Sequence, residues 1–238
     1  MVNKIRVSAV SYTNTKPFVF GLTHSKIIQQ IDLSLDVPSD CARKLIENEV
    51  DIGLVPVAAL LDIPNHQIIS DYCIGANGAV NSVFIFSDKP VYEIKSIRLD
   101  TQSRTSNNLA LVLLKNYWKI NFKIVLEDED AFVLIGDRTF GKKSKFKYAY
   151  DLAEEWKQFT GLPFAFAVWA SNKQVDKTFI EEFNLALKFG LENRMKAIGK
   201  LSSDGFDFKD YLENKLDFNL NKEKLKAIDL FLKYTKAL

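Results

Sequence analysis

Cysteine and histidine are scarce in this chain. Cys41 and Cys73 are the only cysteines in 238 residues, too few for a disulfide framework or a cysteine-rich metal site. Buried, reduced thiols are the simpler reading. The two histidines, His24 and His66, lie far apart and lack the i, i+4 spacing of a helical zinc site. A histidine proton shuttle therefore has two candidates, both in the first third of the chain. The ten glycines form neither GxGxxG nor GxxxxGK[ST], so nucleotide cofactors are disfavoured. An excess of one charge is missing as well: 32 basic residues stand against 30 acidic ones. That gives no electrostatic case for nucleic acid or an anionic membrane, and small molecules become the default partners. No run approaches the ~20 apolar residues of a membrane helix. Near the amino terminus Arg6 and Ser8 interrupt the apolar run that a signal peptide would need, so a soluble, cytoplasmic protein is expected.

What is present is an ordinary globular composition, 47% hydrophobic and 26% charged, with enough residues to bury a sizeable core. Residues 4–10 predict a first strand, and 17–22 a short helix. Ile31, Leu33, Leu35 and Val37 alternate with polar residues and predict a second strand. Pro38-Ser39-Asp40 opens a helix with Ala42, Leu45 and Ile46 inward. Asp51–Pro56 reads as a buried strand stopped by Pro56. This β-α-β-α order predicts a parallel sheet with helices on its faces. Strand signals follow at 67–70, 72–75 and 80–87, and a second unit begins beyond Pro90. Its elements are strands at 94–99, 122–126, 131–135 and 164–169, with helices at 107–118 and 150–159. From Val175 on the chain is helical, with long apolar spacing to Ile198 and two shorter helices near 206–216 and 222–237. The expected division is 1–86 as a first α/β lobe, 87–170 as a second, and 171–238 as a helical segment returning to the first.

Several stretches carry chemistry. Ser11-Tyr12-Thr13-Asn14-Thr15-Lys16-Pro17 follows the first strand, where open α/β sheets place their ligands; an ordinary turn closed by proline at a helix start is the plain alternative. Ser103-Arg104-Thr105-Ser106 lies between a strand and a helix. Its hydroxyls, its arginine and the positive helix end suit a carboxylate or phosphate. A serine N-cap with an exposed arginine would look the same. Asn81-Ser82 leads into a strand that leaves the first lobe. Gly136-Asp137 ends a strand where glycine permits close approach, and Asp137 can orient other groups. Asp151, Glu154 and Glu155 read as an acidic first helical turn. No Ser-His-Asp order, Cys-His pair or carboxylate cluster is evident.

Taken jointly and in order, Val10–Pro17, Asp51–Pro56, Asn81-Ser82-Val83, Ser103–Ser106, Gly136-Asp137, Asp151–Trp156 and Thr160–Phe164 resemble the chorismate dehydratases of the futalosine route to menaquinone. The resemblance runs to about residue 170, and the helical tail matches only in kind. It implies an α/β, two-lobed, type II periplasmic-binding-protein-like fold with a central cleft and a C-terminal helical segment. It implies dehydration of chorismate to 3-[(1-carboxyvinyl)oxy]benzoate without metal or organic cofactor. Asn14 and Ser82 would then be the catalytic residues, and Tyr12, Val55, Pro56, Ser103, Arg104, Thr105, Ser106, Gly136 and Asp137 the substrate-binding ones. The partners expected are chorismate and a second copy of the chain in a homodimer, with no nucleic acid and no membrane span. Thr15-Lys16 before Pro17 departs from the family pattern, and Lys16 faces either cleft or solvent. The 1,4-dihydroxy-6-naphthoate synthase of the same pathway is the close relative to distinguish. It is expected to use a histidine in the second lobe, and this chain has none after His66. A non-catalytic small-anion binding protein is the alternative of another class.

Overall fold

The computed structural model describes residues 4–199 and 206–238. The strand β1 (Ile5–Val10) leads through a 3₁₀ turn at Thr13–Thr15 into α1 (Lys16–Thr23). There follow β2 (Ile31–Asp36), α2 (Pro38–Ile46), β3 (Ile52–Pro56) and β4 (Gln67–Ala76). The middle of the chain supplies β5 (Val83–Ser87), β6 (Ser96–Arg98), α3 (Arg104–Val112), β7 (Lys123–Val125), β8 (Ala131–Ile135), β9 (Tyr148–Asp151) and α4 (Leu152–Thr160). The remainder is β10 (Phe164–Ser171), α5 (Lys177–Glu192), α6 (Arg194–Ile198), α7 (Phe208–Asp210) and α8 (Lys222–Lys236).

Two five-stranded sheets result, ordered β2-β1-β3-β10-β4 and β7-β6-β8-β5-β9. The expected lobe boundaries move accordingly. The strand β5 pairs antiparallel with β8 and β9, so it belongs to the second lobe. The strand β10 lies antiparallel between β3 and β4, so it belongs to the first. The chain thus crosses between lobes at 77–82 and returns at 161–163, rather than at 87 and 170. Both sheets are mixed: β1 is parallel to β2 and β3, and β6 is parallel to β7 and β8, but β5 and β10, the strands that follow the two crossovers, run the other way. The two short strands expected at 67–70 and 72–75 are one, which bulges against β10.

Local chemistry explains the element ends. Pro38 sits in the first turn of α2, where its missing N–H costs nothing. The Asp151 carboxylate caps α4 by accepting from the Ala153 and Glu154 N–H groups. Gly161 closes α4 in the left-handed region at φ 74°. The helical tail anchors to the first lobe through α5, which packs against α1 at glycine-to-backbone distance. A Cβ on Gly21 would stand 2.0 Å from the Ala186 carbonyl oxygen, and one on Gly190 1.9 Å from that of Pro17. Only glycine at both positions allows the approach, and it fixes α1 beneath the loop that carries Asn14. Between the helices and the first sheet, Phe18, Trp169 and Phe183 form an aromatic core with edge-to-face contacts.

Candidate active site between the lobes

The carboxyl ends of β1, β3 and β8 meet at the lobe junction, where residues of both lobes line a narrow cleft. Its apolar wall comes from both lobes, the first crossover and the helical tail, including Val10, Ile74, Val80, Ile135, Phe166 and Leu216. Its polar groups are the side chains of Tyr12, Asn14, Thr15, Ser82, Ser103 and Ser106. Among the described residues none of the lining side chains is charged. Positive potential arrives instead from helix starts. Pro38 at the head of α2 and Ser103 at the cap of α3 both line the cavity, so the positive ends of two helices lie at its wall. The Ser103 hydroxyl oxygen accepts from the Ser106 N–H at 3.1 Å, and the same hydroxyl donates to Ser106 Oγ at 2.9 Å. That leaves the Ser106 O–H free to donate.

Of the residues expected from sequence, Tyr12, Asn14, Pro56, Ser82, Ser103, Ser106 and Gly136 line the space, while Val55, Arg104, Thr105 and Asp137 do not. Arg104 turns outward and pairs with Asp62, with 49% of its side chain exposed. The arginine expected to hold an anion is therefore a surface bridge between lobes. Thr105 is buried and its hydroxyl oxygen accepts the Ala58 N–H across the junction at 3.0 Å. Asp137 accepts both the N–H and the hydroxyl of Thr13, the latter at 2.9 Å. Tyr12 donates to Gln102 of the second lobe. Burial raises the Tyr12 phenol above its ordinary pKa, against the opposing pull of Arg138. Four bridges thus hold the lobes together around the cavity. Val55 packs in the core of β3, and Lys16, half-buried, is not part of the lining.

Gly136 lies at φ 62°, and a Cβ there would meet the Tyr12 ring at 2.8 Å. Its N–H donates to the Ser82 carbonyl at 2.8 Å, which joins the end of β8 to the crossover. At that crossover Asn81 has φ 58°, and its N–H donates to Asp151 at 2.6 Å. Burial lifts the Asp151 carboxyl to about 6, although four backbone N–H groups pull the other way. Asp151, read from sequence as part of an acidic first helical turn, caps α4 and also pins the crossover. Neither histidine takes part: His24 stacks on Phe20, and His66 bonds the Ile63 carbonyl.

Sequence reasoning missed two residues of the tail. Tyr211 is fully buried behind Ser82, and its hydroxyl donates to Ser82 Oγ at 2.9 Å. Lys224 is a completely buried lysine whose ammonium donates to the Asp217 and Asn219 carbonyls and pairs with the Asp217 carboxylate. A tyrosine and a lysine in helical, charge-rich surroundings give no local signal of either role.

Residues 5–237 match the family model described as menaquinone biosynthesis. The chain belongs to that family. Among curated relatives it is 27% identical to a chorismate dehydratase of Thermus thermophilus, over 74% of this chain and 78% of that one. Among solved structures, a protein from Archaeoglobus fulgidus superposes with TM-score 0.77 at 17% identity, covering 98% of this chain and 97% of the other. A Candida albicans protein described as having the generic periplasmic binding protein fold gives 0.66 at 15% identity, covering 99% and 91%. The alkanesulfonate-binding protein of Xanthomonas axonopodis pv. citri gives 0.63 at 12% identity, covering 97% and 93%. At these identities the structures show the fold alone: two α/β lobes of the periplasmic-binding-protein type. Among the described residues no helix is long and apolar enough to cross a membrane.

Proposed function

We propose that this member of the family is a chorismate dehydratase, a hydro-lyase that removes water from chorismate to give 3-[(1-carboxyvinyl)oxy]benzoate. The observation that carries the reading is the cavity's composition, an apolar slot ringed by neutral donors and helix starts. Chorismate is a dianion built on a cyclohexadiene ring. Its ring suits the walls of Val10, Ile74, Val80, Ile135 and Phe166, and its carboxylates suit the N–H groups and hydroxyls at the head of α3. The similarity to a named chorismate dehydratase supports the same choice.

The reaction breaks one C–O and one C–H bond on adjacent ring carbons. The hydroxyl leaves, the ring proton goes to a base, and the electron pair of the C–H bond completes the aromatic ring; hydroxide and proton leave as water. Aromatisation supplies much of the driving force, so the protein needs mainly to position the substrate and to stabilise the departing oxygen. Asn14 and Ser82 are neutral donors facing the cavity and would take that role. Among the described residues no lining side chain is a carboxylate, histidine or lysine. We therefore assign the proton to a carboxylate of the substrate itself. The same lack of a lining histidine disfavours the naphthoate-synthase reading.

The test is turnover in Asn14→Asp. A carboxylate at this position repels the dianion's departing oxygen, so kcat should fall at least tenfold while calorimetric binding of the benzoate product persists. Unimpaired turnover would sink the assignment.

A further inference from the structure

One of the cavity's two proposed catalytic side chains has a partner that comes from the far end of the chain. The Tyr211 hydroxyl donates to Ser82 Oγ at 2.9 Å. That bond lies at the wall of the cavity, which Ser82 lines. We propose that Tyr211 is a positioning residue whose hydroxyl, bonded to Ser82 Oγ, aims the serine's own O–H at the substrate. This rests on the dehydratase reading.

The geometry explains how. With one lone pair of Ser82 Oγ occupied by the phenol O–H, the serine's own O–H is left to point at the ligand. Burial holds the phenol well above its ordinary pKa, so it stays a protonated donor through the neutral range. The ring cannot swing away. It meets Phe140 edge-on at 5.5 Å and Phe206 at 5.4 Å. The backbone around it is a π-helical turn, Tyr211–Lys215, a distortion often found at functional sites. Arg194 donates to the Leu212 carbonyl at 3.1 Å and ties that turn to α6.

Tyr211→Phe keeps the ring and removes only the hydroxyl. Dehydration of chorismate should lose at least tenfold in kcat with KM within about threefold. In a Ser82→Ala background the same substitution should change kcat less than twofold, because its partner is gone. Phe140→Leu, which thins the packing but keeps the hydroxyl, should hold kcat within threefold. An unchanged kcat in Tyr211→Phe overturns the proposal while leaving the dehydratase reading intact. So does an equal loss in both serine backgrounds, or a loss in Phe140→Leu as large as in Tyr211→Phe. A wild-type protein that forms no product overturns the dehydratase reading, and this proposal with it.

Discussion

Lys224→Met should destabilise this protein more than any other single lysine substitution on α8. The Lys224 side chain is completely buried. Its ammonium donates to the Asn219 carbonyl at 2.6 Å and the Asp217 carbonyl at 2.7 Å, and lies 2.8 Å from the Asp217 carboxylate. These bonds hold residues 217–219 against β4, where the Cys73 N–H donates to the Phe218 carbonyl and the Asp217 N–H to that of Gly75. Methionine fills the same channel but leaves two carbonyls without a donor, and each unpaired buried group costs about 1–3 kcal/mol. The Asp217 side chain is 31% exposed and recovers solvation, so the full penalty of a stranded charge does not apply. The net expectation is about 3 kcal/mol, or about 6–12 °C in Tm for a chain of this size. Thermal unfolding followed by circular dichroism at neutral pH measures it. Lys222→Met, at an exposed position of the same helix, should shift Tm by less than about 2 °C. A comparably small shift in Lys224→Met would refute the view that this lysine clamps the tail.

Three further outcomes are expected. Arg104→Ala removes a solvent-exposed pair with Asp62, worth at most about 1 kcal/mol. Affinity for chorismate, measured by calorimetry, should change less than about threefold; a hundredfold loss would put Arg104 back in the ligand site. Gly136→Ala introduces a Cβ in the left-handed region and against the Tyr12 ring. It should cost about 1–3 kcal/mol in denaturant unfolding and lower turnover at least tenfold; a neutral effect would contradict the packing described. Burial would raise the Asp51 carboxyl, but hydrogen bonds from the Arg6 side chain, Lys173 and the Arg6 N–H outweigh it and hold the group at about 2. Its folded pKa lies below the unfolded value, so the stabilisation is present above about pH 4 and lost as pH falls toward 2. Because Arg6 and Lys173 are about half exposed, it should amount to only about 1 kcal/mol. Asp51→Asn should flatten that part of the Tm–pH profile, and an unaltered profile would contradict the assignment.

Much of the first lobe could be read from pattern. The alternation across 31–37, Pro38 before a helix, and Asp51–Pro56 as a buried run all correspond to elements of the fold. The exchange of β5 and β10 between lobes was not legible. Both are wholly buried runs, and nothing in such a run names its neighbours. Arg104 misled because charge suggests anion binding, whereas its place in the first turn of α3 sends it outward and leaves Ser106 inward. The Ser103 cap foreseen as the plain alternative is present alongside the cavity. Tyr211 and Lys224 could not be foreseen because their partners lie 129 and 7 residues away, respectively, on segments brought together only by the fold.

The central claim is catalysis, as opposed to capture, in a cavity lined by no charged side chain among the described residues. Its most direct test is to incubate the purified wild-type protein with chorismate and to separate the mixture by chromatography with mass detection. The account predicts repeated turnover to the enolpyruvyl-benzoate product, one water lighter than chorismate. Tight, stoichiometric binding of chorismate with no product would contradict it and leave the protein a small-anion binder.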